Sequence, residues 1–288
     1  MAILALILVT AVWGVTFVQV KDAVAIYPLF AFLAVRFLIA TGVLAVPAWR
    51  RVRGLGWKGG AEAALLGVLL AVGYALQTAG LARTTVSSAG FVTGMYVVLT
   101  PLIALALFRS HIRIGAWIGT AIAVGGLALL SGVHAGSTSG DLLVLAGAAT
   151  YALQIVLMER YAPRYDPLAL TLVEMSAACV SLAIVAGARG DFSAPHGWTV
   201  WGALIVTGIF ASALAYLFQS WAQKRLDATR TALVFSLEPV FAGIFGFALA
   251  GDRLGLAGWA GCVVILAGIT VAEPAAADVL RRLIPSRR

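Results

Sequence analysis

Ala2-Ile-Leu-Ala-Leu-Ile-Leu-Val-Thr-Ala-Val-Trp13-Gly-Val-Thr16-Phe17-Val-Gln-Val20 runs through the start of the chain without one charged side chain. A membrane span needs about 20 mostly apolar residues, each rising 1.5 Å along a helix, so the stretch predicts a transmembrane helix. It lacks a basic leader and an evident small-residue cleavage site, and further spans follow, so a retained helix is expected rather than a signal peptide. The pattern recurs at about 28–48, 61–82, 86–108, 113–132, 140–158, 167–186, 198–222, 229–250 and 254–272. The connectors are too short for a soluble domain. The stretches are continuously apolar and lack the in/out alternation of barrel strands. The expected fold is all-α: one polytopic membrane domain of ten transmembrane helices.

Composition supports this class. With 62% hydrophobic residues, 11% charged residues and a mean hydropathy of +1.01, the chain has too little charge for a water-facing surface. The net charge of +8 is placed for a membrane rather than for nucleic acid. If the amino terminus is cytoplasmic, fifteen Lys and Arg residues fall on that side, among them Arg50, Arg51, Arg53, Lys58, Arg160 and Arg164. Four, Lys21, Arg83, Arg189 and Arg253, fall opposite, and Arg36 lies within a span. By the positive-inside rule both termini are expected in the cytoplasm. The segment 275–288 reads as a basic cytoplasmic tail, either a plain anchor or a short interfacial helix. Cys179 and Cys262 lie within spans as small apolar residues. His111, His134 and His196 fall in connectors without metal-ligand spacing, so neither a metal nor another cofactor is expected.

The pattern restarts after His134-Ala-Gly-Ser-Thr-Ser-Gly140, a small polar connector. Trp13 and Arg36 match Tyr151 and Glu174 at an offset of 138, as Thr100-Pro101 match Glu238-Pro239. At 142, Tyr74 and Gln77 match Tyr216 and Gln219, and Trp117, Gly119 and Gly126 match Trp259, Gly261 and Gly268. The expected division is a first five-helix repeat over 1–133, the connector 134–140 and a second repeat over 141–274. Five is odd, so the second copy enters the membrane from the other side. Inverted repeats are the architecture of alternating access around a midplane site, which makes transport the leading function, ahead of an intramembrane enzyme or a receptor.

Trp13-Gly-Val-Thr-Phe17, Arg36-Phe37 and Ser236-Leu-Glu-Pro-Val-Phe-Ala-Gly243, leading to Gly251-Asp-Arg253, resemble the EamA-type branch of the drug/metabolite transporter superfamily. The resemblance covers essentially the whole chain, and its specificity lies in the order of the motifs across two five-helix units. It implies a ten-helix carrier of the bacterial inner membrane. It also implies export of amino acids or other metabolites, most like the aromatic amino-acid exporters.

Polar residues indicate which helices face a cavity. The fifth and tenth spans carry only Thr120 and Thr270 and suit a scaffold or dimer face, with Gly115 and Gly119 in a GxxxG spacing that fits close packing within one chain or between two. Elsewhere Trp13, Thr16 and Phe17, Tyr74 and Gln77, Tyr151 and Gln154, and Tyr216 and Gln219 lie three or four apart, each set on one helix face. Interfacial anchoring would also suit such aromatics. The central, repeat-related positions of Trp13 and Tyr151 favour a cavity. With Tyr96, Phe235 and Glu238 these form the candidate substrate-binding set.

Charges near the bilayer centre cost about 2.5–3.5 kcal/mol on insertion scales and therefore face protein or water. Arg36 and Glu174, at equivalent positions, could approach each other as a structural ion pair or a gate. Glu238 precedes Pro239, and proline frees the carbonyl four residues back, here that of Phe235; Pro101 frees that of Val97. Two proline-interrupted helices in corresponding positions mark a binding region or hinge. Glu238 could receive a substrate ammonium or carry a coupling proton. One intramembrane cation is too few for phosphorylated substrates, and no GxxxxGK[ST] loop is present. A small neutral or zwitterionic molecule with apolar parts remains: an amino acid, a drug or an aromatic metabolite. The other expected partner is the lipid bilayer, and the chain is expected as a monomer or homodimer.

Overall fold

In the computed structural model residues 1–131, 138–245 and 255–272 are described. They are helical, with no strand among them. The first half contains α1 Ala2–Ile26, α2 Leu29–Ala48, α3 Gly56–Leu81, α4 Val86–Gly94, α5 Tyr96–Phe108 and α6 Ile114–Ser131. The second contains α7 Thr138–Tyr161, α8 Pro167–Arg189, α9 Gly197–Gly208, α10 Ala215–Gln223, α11 Ala228–Phe235, α12 Glu238–Phe245 and α13 Leu256–Ala272. Residues Ile209–Leu214, between α9 and α10, form a π-helix.

Seven helical stretches among the described residues are long and apolar enough to cross a membrane, and α6 and α13 are shorter apolar helices. The expected span at 229–250 is divided into α11 and α12, and its end lies outside the described residues, as do the Gly251-Asp-Arg253 motif and the 275–288 tail. Of the expected connector 134–140, residues 134–137 lie outside the described residues and Thr138, Ser139 and Gly140 belong to the first turn of α7. Gly140 is helical there because it packs on the backbone, 3.0 Å from the Gly80 carbonyl for any added Cβ.

Helices form here because a bilayer offers the backbone no hydrogen-bond partner, and the helices are apolar all round. α1 buries Leu6, Val9 and Phe17 and exposes Leu4, Leu8 and Val18, as a helix between protein and lipid does. Their ends use polar caps: Thr85, Asp166 and Asp227 accept from the backbone N–H groups of Ser88, Ala169 and Arg230.

Several helix pairs meet backbone to backbone, among them α3 and α8, where Gly67 faces the Glu174 carbonyl. Along α3 and α7, Gly73 faces Gly147 and Gly80 faces Gly140, so these helices are antiparallel. Along α6 and α13, a Cβ on Gly119 would stand 2.5 Å from the Gly268 carbonyl, and one on Gly126 would stand 2.8 Å from that of Gly261. The GxxxG glycine Gly119 is thus consumed by packing within the chain. Elsewhere α8 packs on α2 and α3, and α1 on α10 and α12.

Polar contacts mark the two ends of the bundle. At one, Lys21 Nζ donates to the Thr84 carbonyl (3.1 Å), and the Thr84 and Ser88 hydroxyls donate to Asp141 (2.8 and 2.7 Å). At the other, Arg51 pairs with Asp166 and Arg164 with Glu62, both at 3.0 Å. α1 and α3 therefore end where α7 begins.

Candidate functional site

A cavity lies among the proline-broken helices and their neighbours. Trp13, Thr16, Phe17 and Val20 of α1 line one wall, with Arg36 of α2. Tyr74, Gln77, Thr78 and Leu81 of α3 follow, then Thr93 of α4 and Tyr96 of α5. Tyr151, Gln154 and Ile155 of α7 face Tyr216 and Gln219 of α10, and Phe235 and Glu238 close the circuit. All residues expected to bind substrate are brought together here, joined by Arg36. Glu174, Pro101 and Pro239 are outside the lining. About 60 Å³ is open to the centre of a water molecule, space for a few waters, so a ligand of amino-acid size requires these walls to part.

The aromatic walls are built in pairs. Tyr74 and Tyr151 meet edge to face at 5.4 Å, and their counterparts Tyr216 and Trp13 meet at 5.7 Å. Tyr74 and Tyr216, equivalent to each other, touch directly, the Tyr216 hydroxyl donating to that of Tyr74 at 3.1 Å. Trp13 also packs edge-on against Phe235 at 4.9 Å. Such geometries suit the ring quadrupoles.

Arg36, only 3% exposed, is held by neutral groups. Its Nε donates to Ser212 Oγ (2.8 Å) and its Nη2 to the Tyr74 hydroxyl (3.1 Å) and the Ala211 carbonyl (3.4 Å). Its guanidinium carbon lies 4.3 Å from the Tyr74 ring centre, a cation–π contact. The expected approach to Glu174 does not occur: Glu174 Oε1 accepts from Gln154 Nε2 at 2.8 Å instead. The equivalence of the two positions is one of sequence register. It does not fix which neighbour each side chain reaches, and Arg36 finds its partners on the π-helix. There the Ala215 N–H turns to the Phe210 and Ser212 carbonyls, and the Ala211 carbonyl accepts from Trp13 Nε1 (2.9 Å) as well as Arg36. π-helical turns are common at functional sites.

Both broken helices divide beside the cavity. The first breaks at Met95, whose N–H bonds to the Val92 carbonyl while α5 starts at Tyr96, six residues before Pro101. The second breaks at Ser236-Leu237, immediately before Glu238-Pro239. Glu238 thereby stands in the first turn of α12, where the helix dipole favours a carboxylate, and accepts from the Tyr96 hydroxyl at 3.4 Å. Gln77 bridges two walls, donating to Thr93 (3.0 Å) and accepting from the Tyr151 hydroxyl (3.0 Å).

Sequence reasoning missed Val20, Thr78, Leu81, Thr93 and Ile155 in the lining, and Ala211 and Ser212 behind it. Thr78 and Thr93 were visible as hydroxyls within spans. The aliphatic residues carry no chemical signal, and nothing in Ile209-Phe-Ala-Ser-Ala-Leu214 announces a π-helix.

The chain resembles known proteins over nearly its full length. An uncharacterized transporter of Archaeoglobus fulgidus is 31% identical over 93% of this chain and 84% of its own. The uncharacterized inner membrane transporter YedA of Escherichia coli is 28% identical over 90% and 86%. A solved crystal structure superposes with a TM-score of 0.79 over 96% of this chain and 98% of the other, at 20% identity, a likeness of fold. The EamA-like transporter family matches twice, at residues 1–132 and 138–272, and the chain belongs to that family of membrane transporters.

Proposed function

We propose that the protein is an alternating-access carrier, ten helices arranged as two inverted repeats, that moves small zwitterionic metabolites with apolar side chains across the inner membrane. Aromatic amino acids are the first candidates, and the direction is outward. The observation that carries this reading is the composition of the cavity. Aromatic walls surround one guanidinium, Arg36, and one carboxylate, Glu238, with neutral hydrogen-bonding groups between them. A substrate carboxylate matches the first, a substrate ammonium the second, and an apolar side chain the rings. Export rests on the family resemblance.

The inverted arrangement is supported by the paired contacts of equivalent residues, Tyr74 with Tyr151 against Tyr216 with Trp13, and Gly119 with Gly268 against Gly126 with Gly261. It is supported too by α7 starting at the end where α1 and α3 finish. Pro101 and Pro239 serve as hinges in this reading, since Pro239 directly follows one helix break bordering the cavity and Pro101 lies in α5, the helix that starts at the other. Both termini are cytoplasmic, and one chain supplies a complete cavity, so a monomer suffices.

The test is counterflow in proteoliposomes with a panel of labelled amino acids, aromatic amines and neutral drugs, each with and without an imposed pH gradient. Saturable exchange of unchanged L-phenylalanine or L-tryptophan is expected. Exchange confined to uncharged drugs would replace the amino-acid reading, and release of a modified product would replace transport with catalysis.

A further inference from the structure

From the cavity wall a chain of buried amides runs to a carboxylate outside the lining. Glu174 is completely buried and lies about 10 Å along α8 from Pro167, well inside a helix long and apolar enough to cross a membrane. Gln154 Nε2 donates to its Oε1 (2.8 Å), Gln219 Nε2 donates to Gln154 Oε1 (2.9 Å) and to Gln223 Oε1 (2.8 Å), and Gln223 Nε2 donates to the Ile155 carbonyl (2.9 Å). These three glutamines are at most 1% exposed. Two oxygens of the chain have no partner, Glu174 Oε2 and Gln219 Oε1.

Among the described residues no cation pairs with Glu174. The ionisable side chains that the helices around it contribute to the cavity lining are Arg36 of α2, Tyr74 of α3, Tyr151 of α7 and Tyr216 of α10. Arg36, Tyr151 and Tyr216 donate to Ser212, Gln77 and Tyr74, and Tyr74 accepts from Arg36. Arg53 and Lys58 are exposed, and Glu62 pairs with Arg164 at the bundle end. A buried carboxylate held by one neutral amide, with its second oxygen bare, is a costly structural element and a ready acceptor for a proton.

We propose that Glu174 is the proton-carrying residue of this transporter and that Gln154 and Gln219 relay its protonation to the substrate cavity. This rests on the carrier reading above. One proton from water on one side of the membrane forms an O–H bond at Glu174 and returns to water on the other side; no electrons move. The ionised carboxylate requires a donor and holds the Gln154 NH2 group toward itself. The acid has a hydrogen to donate and no such need, so Gln154 can turn its carbonyl to Glu174 and its NH2 to Gln219. Gln219 then presents its Oε1, the oxygen now without a partner. Because Gln154 and Gln219 both line the cavity, protonation exchanges donors for acceptors on the wall that meets the substrate.

Two measurements on the full-length protein in proteoliposomes test this. In the first, infrared difference spectra after a pH jump, taken without substrate, read the protonated-carboxyl band. That band is expected in wild type and in Glu238→Gln and absent in Glu174→Gln. Gln154→Leu, which removes only the amide partner, is expected to shift the band. A band unchanged in both Glu174→Gln and Gln154→Leu overturns the proposal. In the second, an imposed gradient of about one pH unit drives labelled L-phenylalanine, with about tenfold accumulation expected for one coupled proton. Glu174→Gln is expected to abolish the accumulation and keep counterflow within about twofold of wild type. Loss of counterflow in parallel with accumulation, or driven accumulation that survives, overturns it. Absence of counterflow in wild type would instead count against the carrier reading itself.

Discussion

Arg36 shows how a single side chain fixes the site. It joins α2 to the π-helix through Ser212 and Ala211 and to α3 through Tyr74, which requires a planar fork with several donors. Lysine keeps the charge but cannot serve these directions together. Arg36→Lys is therefore expected to lower phenylalanine counterflow by about tenfold, equivalent to ~1.4 kcal/mol, with the protein still monodisperse on size-exclusion chromatography. Wild-type exchange would remove the guanidinium from the binding reading. Trp13 contributes a ring against Tyr216 and Phe235 and an indole N–H to Ala211. Trp13→Ala and Glu238→Gln are each expected to reduce exchange by about tenfold or more, while Trp13→Phe, which loses only the hydrogen bond, falls between. The relevant readout is the Michaelis constant for exchange, which rises if these groups hold the substrate. Residue types and spacings made this set legible, because an aromatic beside an amide on one helical face is unusual in lipid. Glu174 was legible as a buried charge but not as a neighbour of Gln154. That contact depends on how α8 is rotated against α7, which neither sequence records.

Among the elements, span boundaries followed directly from hydropathy: the stretch expected at 28–48 is α2, Leu29–Ala48. Breaks within spans were less legible. Pro101 announces an interruption, yet it stands inside α5 and the chain breaks six residues earlier, at Met95, beyond the carbonyl four residues back that a proline's ring and missing N–H disturb. The Gly115 and Gly119 spacing of α6 suggests close packing without naming a partner, since spacing alone cannot distinguish one chain from two. With Gly119 and Gly268 in backbone contact, Gly268→Val has no space: its Cβ would lie 2.7 Å from the Gly119 carbonyl and 2.9 Å from the Ala123 nitrogen. Overpacking of this kind costs about 1–3 kcal/mol, and a lower apparent melting temperature in detergent is expected. Gly125→Val, at a position with nothing within 4 Å, should melt close to wild type.

For the whole molecule, the charge asymmetry predicts an orientation that insertion experiments can read. Arginines added between residues 133 and 141 are expected to reduce correctly inserted protein, and the same residues added at 50–58 to be tolerated. A cysteine placed at either terminus should react with an impermeant maleimide only after the cells are permeabilised. Labelling of intact cells would reverse the assignment of sides. The repeat itself was visible as two offsets, 138 and 142, whose difference of about one helical turn accumulates between the third and fourth helices of the unit.

The α6–α13 contact has a mechanical consequence. Helices joined through glycine carbonyls possess no layer of flexible side chains on which to slide, so α6 and α13, like α3 and α7, hold together as one rigid unit. In the carrier proposed above, a strap tying α6 to α13 should therefore leave turnover untouched, whereas one tying α1 to α11 should stall it.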